Sequence, residues 1–308
     1  MYYLNYPAIG SSYHINISED ERMSIIKARE YLMNITFIEE KFDFAVGNYY
    51  DFQKILLEKS LSDSIRRSFA ISEILSCERE LTRKLFNLLS TVYAYTEQIQ
   101  KLKRQLYLSD PEIITKYVNQ FEKSNFSTKF ITRLRDHIQH NGISTNIELG
   151  ACEKTDSEHS IRFLFFYNTL YLDIQQCKKD SKMEKLLKNF TYRKDKIEIC
   201  DHIKYYFKEF CQLHTKVRNI LNNEKEYSIK ILNDTFGKFE SKTKCNIGDN
   251  QKLLGIYSDE DSSYSYIFTN NMITEIEELT KYNSNLSNID SRFACNAAYN
   301  QLQILQKL

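Results

Sequence analysis

The stretch SDSIRRSFAISEILSCERELTRKLFNLLSTVYAYTEQIQKLKRQL, residues 62–106, decides the fold class of this chain. It contains neither Gly nor Pro, and its apolar residues recur at steps of three and four, the period of one helix face. These residues are Ile71, Ile74, Leu75, Leu81, Leu85, Leu88, Leu89, Val92, Ile99 and Leu102. We therefore predict that the longest helix of the protein lies here.

The composition of the whole chain favours the same fold class. Its 308 residues include only seven Gly and two Pro, whereas average usage is roughly 7% and 5%. Hydrophobic residues make up 42% and charged residues 27%, as in folded globular proteins. We predict a mainly α fold, with a length that suits one large domain or two ordinary ones.

Helices are predicted on both sides of this stretch. Residues 1–17 look irregular, and Ser18 followed by acidic residues is typical of a helix start. That helix runs to about Ile35, and a separate one from about Phe44 to Leu56 follows. Beyond residue 106, Pro111 opens a further helix, and another ends at Asn141-Gly142. The result is a set of antiparallel helices with short turns.

The pattern changes after Gly142. Two apolar runs within 143–170 predict a small β-hairpin, and Ile197 to about Leu221 predicts a second long helix. Residues 240–265 are polar and read as a loop. We therefore divide the chain into a helical bundle at 1–142, a β-ribbon at 143–170, and a helical C-terminal part at 171–308 packed on the same domain.

The net charge and the cysteine content limit the classes to which this protein can belong. The net charge is +1, so any contact with nucleic acid has to come from a local basic patch. Seven cysteines without framework spacing are typical of free thiols in a reducing compartment. Neither a signal peptide nor a membrane span is expected, and we predict a cytoplasmic protein.

One helical segment has a specific chemical interpretation, namely RDHIQH at residues 135–140. With Arg135 at zero on a helical wheel, Asp136 falls near about 100° and His140 near about 140°, opposite the apolar face. His137 falls at the margin of that face. Residues of this kind near a helix end are often simply solvated, with His complementing the helix dipole.

A functional interpretation comes from a resemblance. RDHIQH resembles the Arg-x4-His motif of the HEPN superfamily, including the polar residue directly after the arginine. The order of a long helix pair followed by the motif helix is also similar to that family. The downstream ribbon and second long helix are similar to bacterial HEPN-like proteins. The resemblance implies a HEPN-like helical bundle with long antiparallel helices and a small β-hairpin insertion.

The resemblance also implies an activity, that of a metal-independent endoribonuclease acting as a homodimer on RNA. Arg135 and His140 would be catalytic, and Asp136 would orient one of them. The second shell would consist of His137, Gln139 and Asn141. Such a protein would be a bacterial toxin or phage-defence effector, with an antitoxin or regulatory protein as a further partner and no cofactor. The alternative is a non-catalytic helical protein that binds nucleotides or other proteins.

A zinc site is a competing interpretation of the pairs Cys200/His202 and Cys211/His214, because both residue types ligate zinc. On one continuous helix Cys200 and Cys211 lie about 16 Å apart, and His202 points to the opposite side. The four side chains therefore do not converge on one ion. We predict that the cysteines belong to the core.

Overall fold

A computed structural model describes residues 1–7, 13–66, 70–141, 145–156, 161–178, 180–188, 196–244, 247, 252–258, 261–284, 286 and 288–292. The described chain is mainly helical with two small antiparallel sheets, which confirms the predicted mainly α class. The helices are α1 (Glu19–Arg66), α2 (Ile71–Leu102), α3 (Glu112–Lys123), α4 (Phe126–Asn141), α5 (Ile174–Cys177), α6 (Ser181–Leu187), α7 (Cys200–Thr243) and α8 (Asn271–Tyr282).

Helix α1 begins where the sequence predicts, but it does not break. The Ser18 hydroxyl accepts from the Glu21 N–H at 3.1 Å, and the Glu21 carboxylate accepts from the Ser18 N–H at 3.0 Å. This capping box fixes the helix start. The separate helix predicted from Phe44 is wrong, because α1 continues for 48 residues. Gly47 lies inside it, and apolar residues keep the helical period on both sides of Gly47.

The predicted lengths of the other long helices also need correction. Helix α2 has 32 residues, so α1 with 48 and α7 with 44 are both longer. The second long helix was predicted over Ile197 to Leu221, but Lys196–Glu198 is a strand, β5, and the helix runs from Cys200 to Thr243. The start shifts because the Glu198 carboxylate accepts from the Cys200 N–H at 3.0 Å, which terminates the strand and caps the helix.

A four-stranded antiparallel sheet occupies two regions predicted to be irregular. Strands β1 (Tyr2–Asn5) and β2 (His14–Ile17) come from the N-terminus. Strand β6 (Leu253–Ser258) lies in the predicted loop at 240–265, and β7 (Asp261–Thr269) begins there and runs beyond it. The strand order is β2-β1-β6-β7. Each strand becomes regular because it pairs with a partner, and β1 and β6 are about 250 residues apart in sequence.

A small antiparallel hairpin lies in the region where the β-ribbon was predicted, and its second strand runs to Asp173. Strands β3 (Thr145–Asp156) and β4 (Ile161–Asp173) pair antiparallel along their whole length, and β5 adds to the far edge of β4. In this register Gly150 lies opposite Tyr167. A Cβ at Gly150 would overlap the Tyr167 ring, so the ring lies directly over the glycine. The predicted helix stop Gly142 lies outside the described residues, and α4 ends at Asn141.

The chain forms two compact units, each assembled from separate segments. Unit 1 comprises residues 1–43, 95–117 and 214–285, and unit 2 comprises residues 44–94, 118–213 and 286–308. The core of unit 1 includes the fully buried Leu4, Tyr31, Phe42, Tyr95 and Phe236, and that of unit 2 includes Phe52, Leu85, Phe130, Phe207 and Phe210. The chain-order division at residues 142 and 170 stays a prediction.

Candidate functional site

Helix α4 carries the segment singled out by its sequence, and its apolar face fixes how that segment is presented. Phe130, Ile131 and Leu134 are fully buried in unit 2, and Ile138 is 9% exposed. The Asn125 side chain accepts from the Thr128 N–H at 2.9 Å, which caps the first turn. Because one face is buried, Arg135, Asp136, Gln139 and His140 lie on the opposite, polar side of α4, as the helical wheel predicts.

Arg135 is held by two contacts. Its guanidinium carbon lies 3.6 Å from the centroid of the Tyr93 ring, within the range of a cation–π interaction. Its Nη1 donates to Asp136 Oδ1 at 3.1 Å. The side chain is 19% exposed, so it is partly withdrawn from water. Arg135 is therefore a positioned cation and not a freely solvated one.

Asp136 joins Arg135 to a second arginine. Its other carboxylate oxygen accepts from Arg133 Nη1 at 3.2 Å, and Arg133 Nη2 donates to Asp180 Oδ2 at 2.6 Å. The hydrogen bond from Arg133 lowers the pKa of Asp180 to about 2. A chain of four alternating charges thus runs from Asp180 to Arg135. The buried Nε of Arg133 has no hydrogen-bond partner among the described residues.

His140 lies in the last turn of α4, and its side chain is exposed, as is that of Gln139. His137 is only 3% exposed and belongs to the packed face. Asn141 ends the helix, and its side chain lies outside the described residues. Within the described chain no hydrogen bond joins Arg135 to His140. A rise of about 7.5 Å and a turn of about 140° separate them on the helix, so one α4 does not bring them together.

Sequence reasoning missed three residues of this site. Tyr93 lies on α2, and Arg133 and Asp180 form the 2.6 Å ion pair that links α4 to the start of α6. Asp180 also accepts from the backbone N–H groups of Lys182 and Met183. Its position before a helix is a readable N-cap signal. Nothing in the local sequence pairs it with an arginine 47 residues earlier.

A second polar cluster lies inside unit 1. Glu39 is 3% exposed and His214 is 1% exposed. Arg218 Nε donates to Glu39 Oε1 at 2.8 Å, His214 Nε2 lies 3.2 Å from Glu39 Oε2, and the Tyr95 hydroxyl lies 2.8 Å from His214 Nδ1. The Phe42 ring stacks on the imidazole with centroids 3.6 Å apart. We call these five residues the buried Glu39 cluster.

The pKa shifts in this cluster determine the protonation states of His214 and Glu39. Burial lowers the pKa of His214, so its imidazole is neutral near pH 7. Burial raises the pKa of Glu39, but hydrogen bonds from Arg218 and His214 outweigh burial and lower the pKa to about 2. The consistent arrangement has His214 Nε2–H donating to the Glu39 carboxylate and Nδ1 accepting from Tyr95. Every member is satisfied internally, which suits a structural role.

The histidines considered for zinc have other partners. His214 belongs to the buried Glu39 cluster, and His202 Nδ1 lies 2.9 Å from the Ser127 hydroxyl. Cys211 is 5% exposed, in keeping with a core cysteine, and Cys200 Sγ accepts from the Leu170 N–H at 3.4 Å. Across the described ranges, no three His, Cys, Asp or Glu side chains are grouped so as to hold a metal ion.

Comparisons with known proteins add no family. Set against protein-family models, curated proteins and solved structures, the chain has no match. Among the helices in the described part of the chain, none combines the length and the apolar character needed to span a membrane.

Proposed function

We propose that this chain is a metal-independent endoribonuclease of the HEPN type, with Arg135 and His140 as its catalytic residues. The observation that carries the proposal is the state of Arg135, whose guanidinium is stacked on Tyr93 and bonded to Asp136 at the polar side of α4. A cation held in this way has already lost much of its freedom, so it can bind a phosphoryl group at little further entropic cost.

The reaction needs a base and a stabiliser of negative charge. The exposed imidazole of His140 acts as the general base that takes the proton of an RNA 2′-hydroxyl. The 2′-oxygen attacks the adjacent phosphorus, and the bond from phosphorus to the 5′-oxygen breaks. The departing 5′-oxygen is protonated by water or by an imidazolium. Arg135 stabilises the charge on the phosphoryl oxygens. The products are a 2′,3′-cyclic phosphate and a 5′-hydroxyl.

A second chain completes the site in this proposal. Arg135 and His140 diverge by about 140° on one helix, so a two-fold axis beside α4 is needed to place an arginine and a histidine in one groove. Asp136 then has a positioning role, because it bonds both Arg133 and Arg135. The proposal therefore predicts a homodimer of the 36.7 kDa chain.

Cleavage of total RNA in the presence of a chelator tests the catalytic residues. We expect the wild type to produce 2′,3′-cyclic phosphate ends, and His140→Ala and Arg135→Ala each to lose about a hundredfold or more in rate. Lys129→Ala is the matched control, because Lys129 is exposed on the same helix. The proposal fails if the wild type does not cleave RNA or if His140→Ala cleaves as fast as the control.

Complementation tests the shared groove. Arg135→Ala and His140→Ala chains, inactive alone, are denatured and refolded together to form mixed dimers. We expect cleavage to return, because a mixed groove contains one intact arginine and one intact histidine. Mixed dimers that stay inactive would contradict a groove shared by two chains. Expression of the wild type, but not of Arg135→Ala, is expected to slow cell growth if the RNA of the cell is the substrate.

A further inference from the structure

Helix α1 carries apolar side chains on two faces within unit 2. One face is buried and contains Tyr49, Phe52 and Leu56. The other face is open to solvent, and it contains Tyr50 (63% exposed), Leu57 (52%), Leu61 (50%) and Ile65 (72%). At about 100° per residue these four exposed side chains fall within an arc of about 80°. We call them the α1 stripe.

The α1 stripe is long and has one charged interruption. From Tyr50 to Ile65 it extends over about 22 Å of helix. Lys54 lies within it, and its ammonium group pairs with Glu58 at 3.7 Å. Monomeric soluble proteins rarely expose large contiguous apolar patches, and such patches are typical of interaction sites. The α1 stripe is therefore expected to have an apolar partner.

The sequence of residues 293–308, which lie outside the described residues, encodes a second apolar surface. This sequence, FACNAAYNQLQILQKL, contains no Gly or Pro and only one charged residue, Lys307. On a helical wheel with Phe293 at zero, an arc of about 200° is apolar except for Gln301. The apolar residues of this arc are Phe293, Ile304, Ala297, Leu308, Ala294, Leu305, Ala298, Leu302 and Cys295. The opposite arc contains Gln306, Tyr299, Gln303, Asn296, Lys307 and Asn300. The pattern predicts an amphipathic helix.

The fold places the start of this segment beside the α1 stripe. Asp290 Oδ2 accepts from Lys208 Nζ at 3.0 Å, which anchors the preceding turn to α7. Arg292 then lines a cavity of about 860 Å³ together with Tyr50 and Leu57 of the stripe. Because residue 293 follows Arg292 directly, the segment is tethered at the stripe. A short tether gives an effective concentration on the order of millimolar, which favours docking on the same chain over docking on a second copy.

We propose that residues 293–308 dock as an amphipathic helix on the α1 stripe of their own chain. A helix of these 16 residues is about 24 Å long, which matches the length of about 22 Å over which the stripe extends. Docking removes the apolar arc of the segment and the α1 stripe from water together, and this burial stabilises the contact. The proposal concerns a different set of residues from Arg135 and His140, and it does not depend on RNA cleavage.

Hydrogen exchange of the full chain tests the docking. An isolated helix of this length is marginal in water, so slow exchange of its backbone amides requires a surface on which it packs. We expect the amides of residues 297–308 to exchange at least about tenfold more slowly in the full chain than in a synthetic peptide with the sequence of residues 293–308. Equal exchange rates in the chain and in the peptide would show that the segment is not docked and would overturn the proposal.

Substitutions on both surfaces locate the contact. Leu57→Asp places a carboxylate in the stripe and Leu302→Asp places one in the apolar arc, so each is expected to speed the exchange of residues 297–308 about tenfold. Ser62→Asp is the control for α1, because Ser62 is exposed on that helix outside the stripe. Gln303→Asp is the control for the segment, because Gln303 lies on its polar arc. Both controls should keep slow exchange. Slow exchange that persists in Leu57→Asp would place the segment elsewhere and overturn the proposal.

A mixing experiment distinguishes docking within one chain from exchange between two chains. Leu57→Asp chains, which keep an intact segment, are denatured and refolded together with Leu302→Asp chains, which keep an intact stripe. Docking within one chain predicts that exchange of the segment stays fast in both variants. Recovery of slow exchange in the segment of the Leu57→Asp chain would mean that it docks on a second copy, and this result would overturn the proposal.

Discussion

The guanidinium of Arg135 stacks on the ring of Tyr93, and its central carbon lies 3.6 Å from the centroid of that ring. Removing that ring frees the arginine. We expect Tyr93→Leu to lower the rate of RNA cleavage about tenfold, because it removes a partly desolvated cation–π contact. Tyr93→Phe keeps the ring face, so its rate should stay within about twofold of the wild type. Equal rates for Tyr93→Leu and wild type would show that the stack does not position Arg135.

Asp180 combines two roles that substitution can separate. It caps α6 by accepting from two backbone N–H groups, and it pairs with Arg133. Asp180→Ala removes both contacts and should lower the free energy of unfolding by about 1–2 kcal/mol, as for other N-caps. Asp180→Asn keeps the cap and should lose less. Urea unfolding of both variants measures this, and equal losses would mean that the cap contributes nothing beyond the ion pair.

The buried Glu39 cluster predicts loss of stability in acid. The pKa of His214 is lowered by burial, so below its unfolded value of about 6.5 the unfolded chain takes up a proton that the folded chain does not. The pKa of Glu39 is lowered from 4.5 to about 2, so its stabilising effect is present above about 4.5 and fades as the pH falls towards 2. Stability should therefore begin to fall below about pH 6.5, by up to about 1.4 kcal/mol per pH unit for one proton.

Urea unfolding between pH 7 and pH 4 measures this dependence. His214→Gln removes the titrating imidazole, so the slope between about pH 6.5 and 4.5 should flatten. His14→Gln is the control, because His14 is exposed in the N-terminal sheet. A slope that is the same in His214→Gln and in the control would exclude His214 as its source.

Substitution of glycine by alanine is expected to have opposite effects on stability at Gly47 and at Gly150. Gly47 lies in the middle of α1, and a Cβ there would have no neighbour within 4 Å. Gly47→Ala should raise the free energy of unfolding by about 0.5–1 kcal/mol, because alanine is the better helix former. Gly150→Ala would place a Cβ inside the Tyr167 ring, and because this ring is 51% exposed it can turn aside, so the protein should be destabilised by at most about 1 kcal/mol. Thermal unfolding of the pair checks the sign, and a stabilised Gly150→Ala would contradict the packing of Tyr167.

Local sequence signals predicted the features that depend on neighbouring residues, such as helix starts and the buried face of a helix. Ser18 and Glu21 form the capping box where a helix start was expected, and the apolar period of α4 correctly placed Ile138 inside and His140 outside. The break expected before Phe44 was wrong because nothing in that region stops a helix. A lone glycine such as Gly47 costs only about 1 kcal/mol, which packing of the rest of the helix outweighs.

The strand pairings and site contacts that depend on residues far apart in sequence were not predicted. Strand β6 pairs with β1 from the opposite end of the chain, and no window of neighbouring residues contains that information. The same reason explains the site: the RDHIQH segment is visible in sequence, but Tyr93 and Asp180 reach it only through the fold.

The separation of Glu39 from His214 along the chain has a consequence for biosynthesis. The two residues are 175 positions apart, and a ribosome adds about 5–20 residues per second. Glu39 is therefore added to the chain roughly 9–35 s before His214. During that interval the nascent chain carries a carboxylate whose enclosing partners do not yet exist. Unit 1 includes residues 214–285, so it cannot be completed before these residues have been made, and its earlier segments lack their packing partners until then.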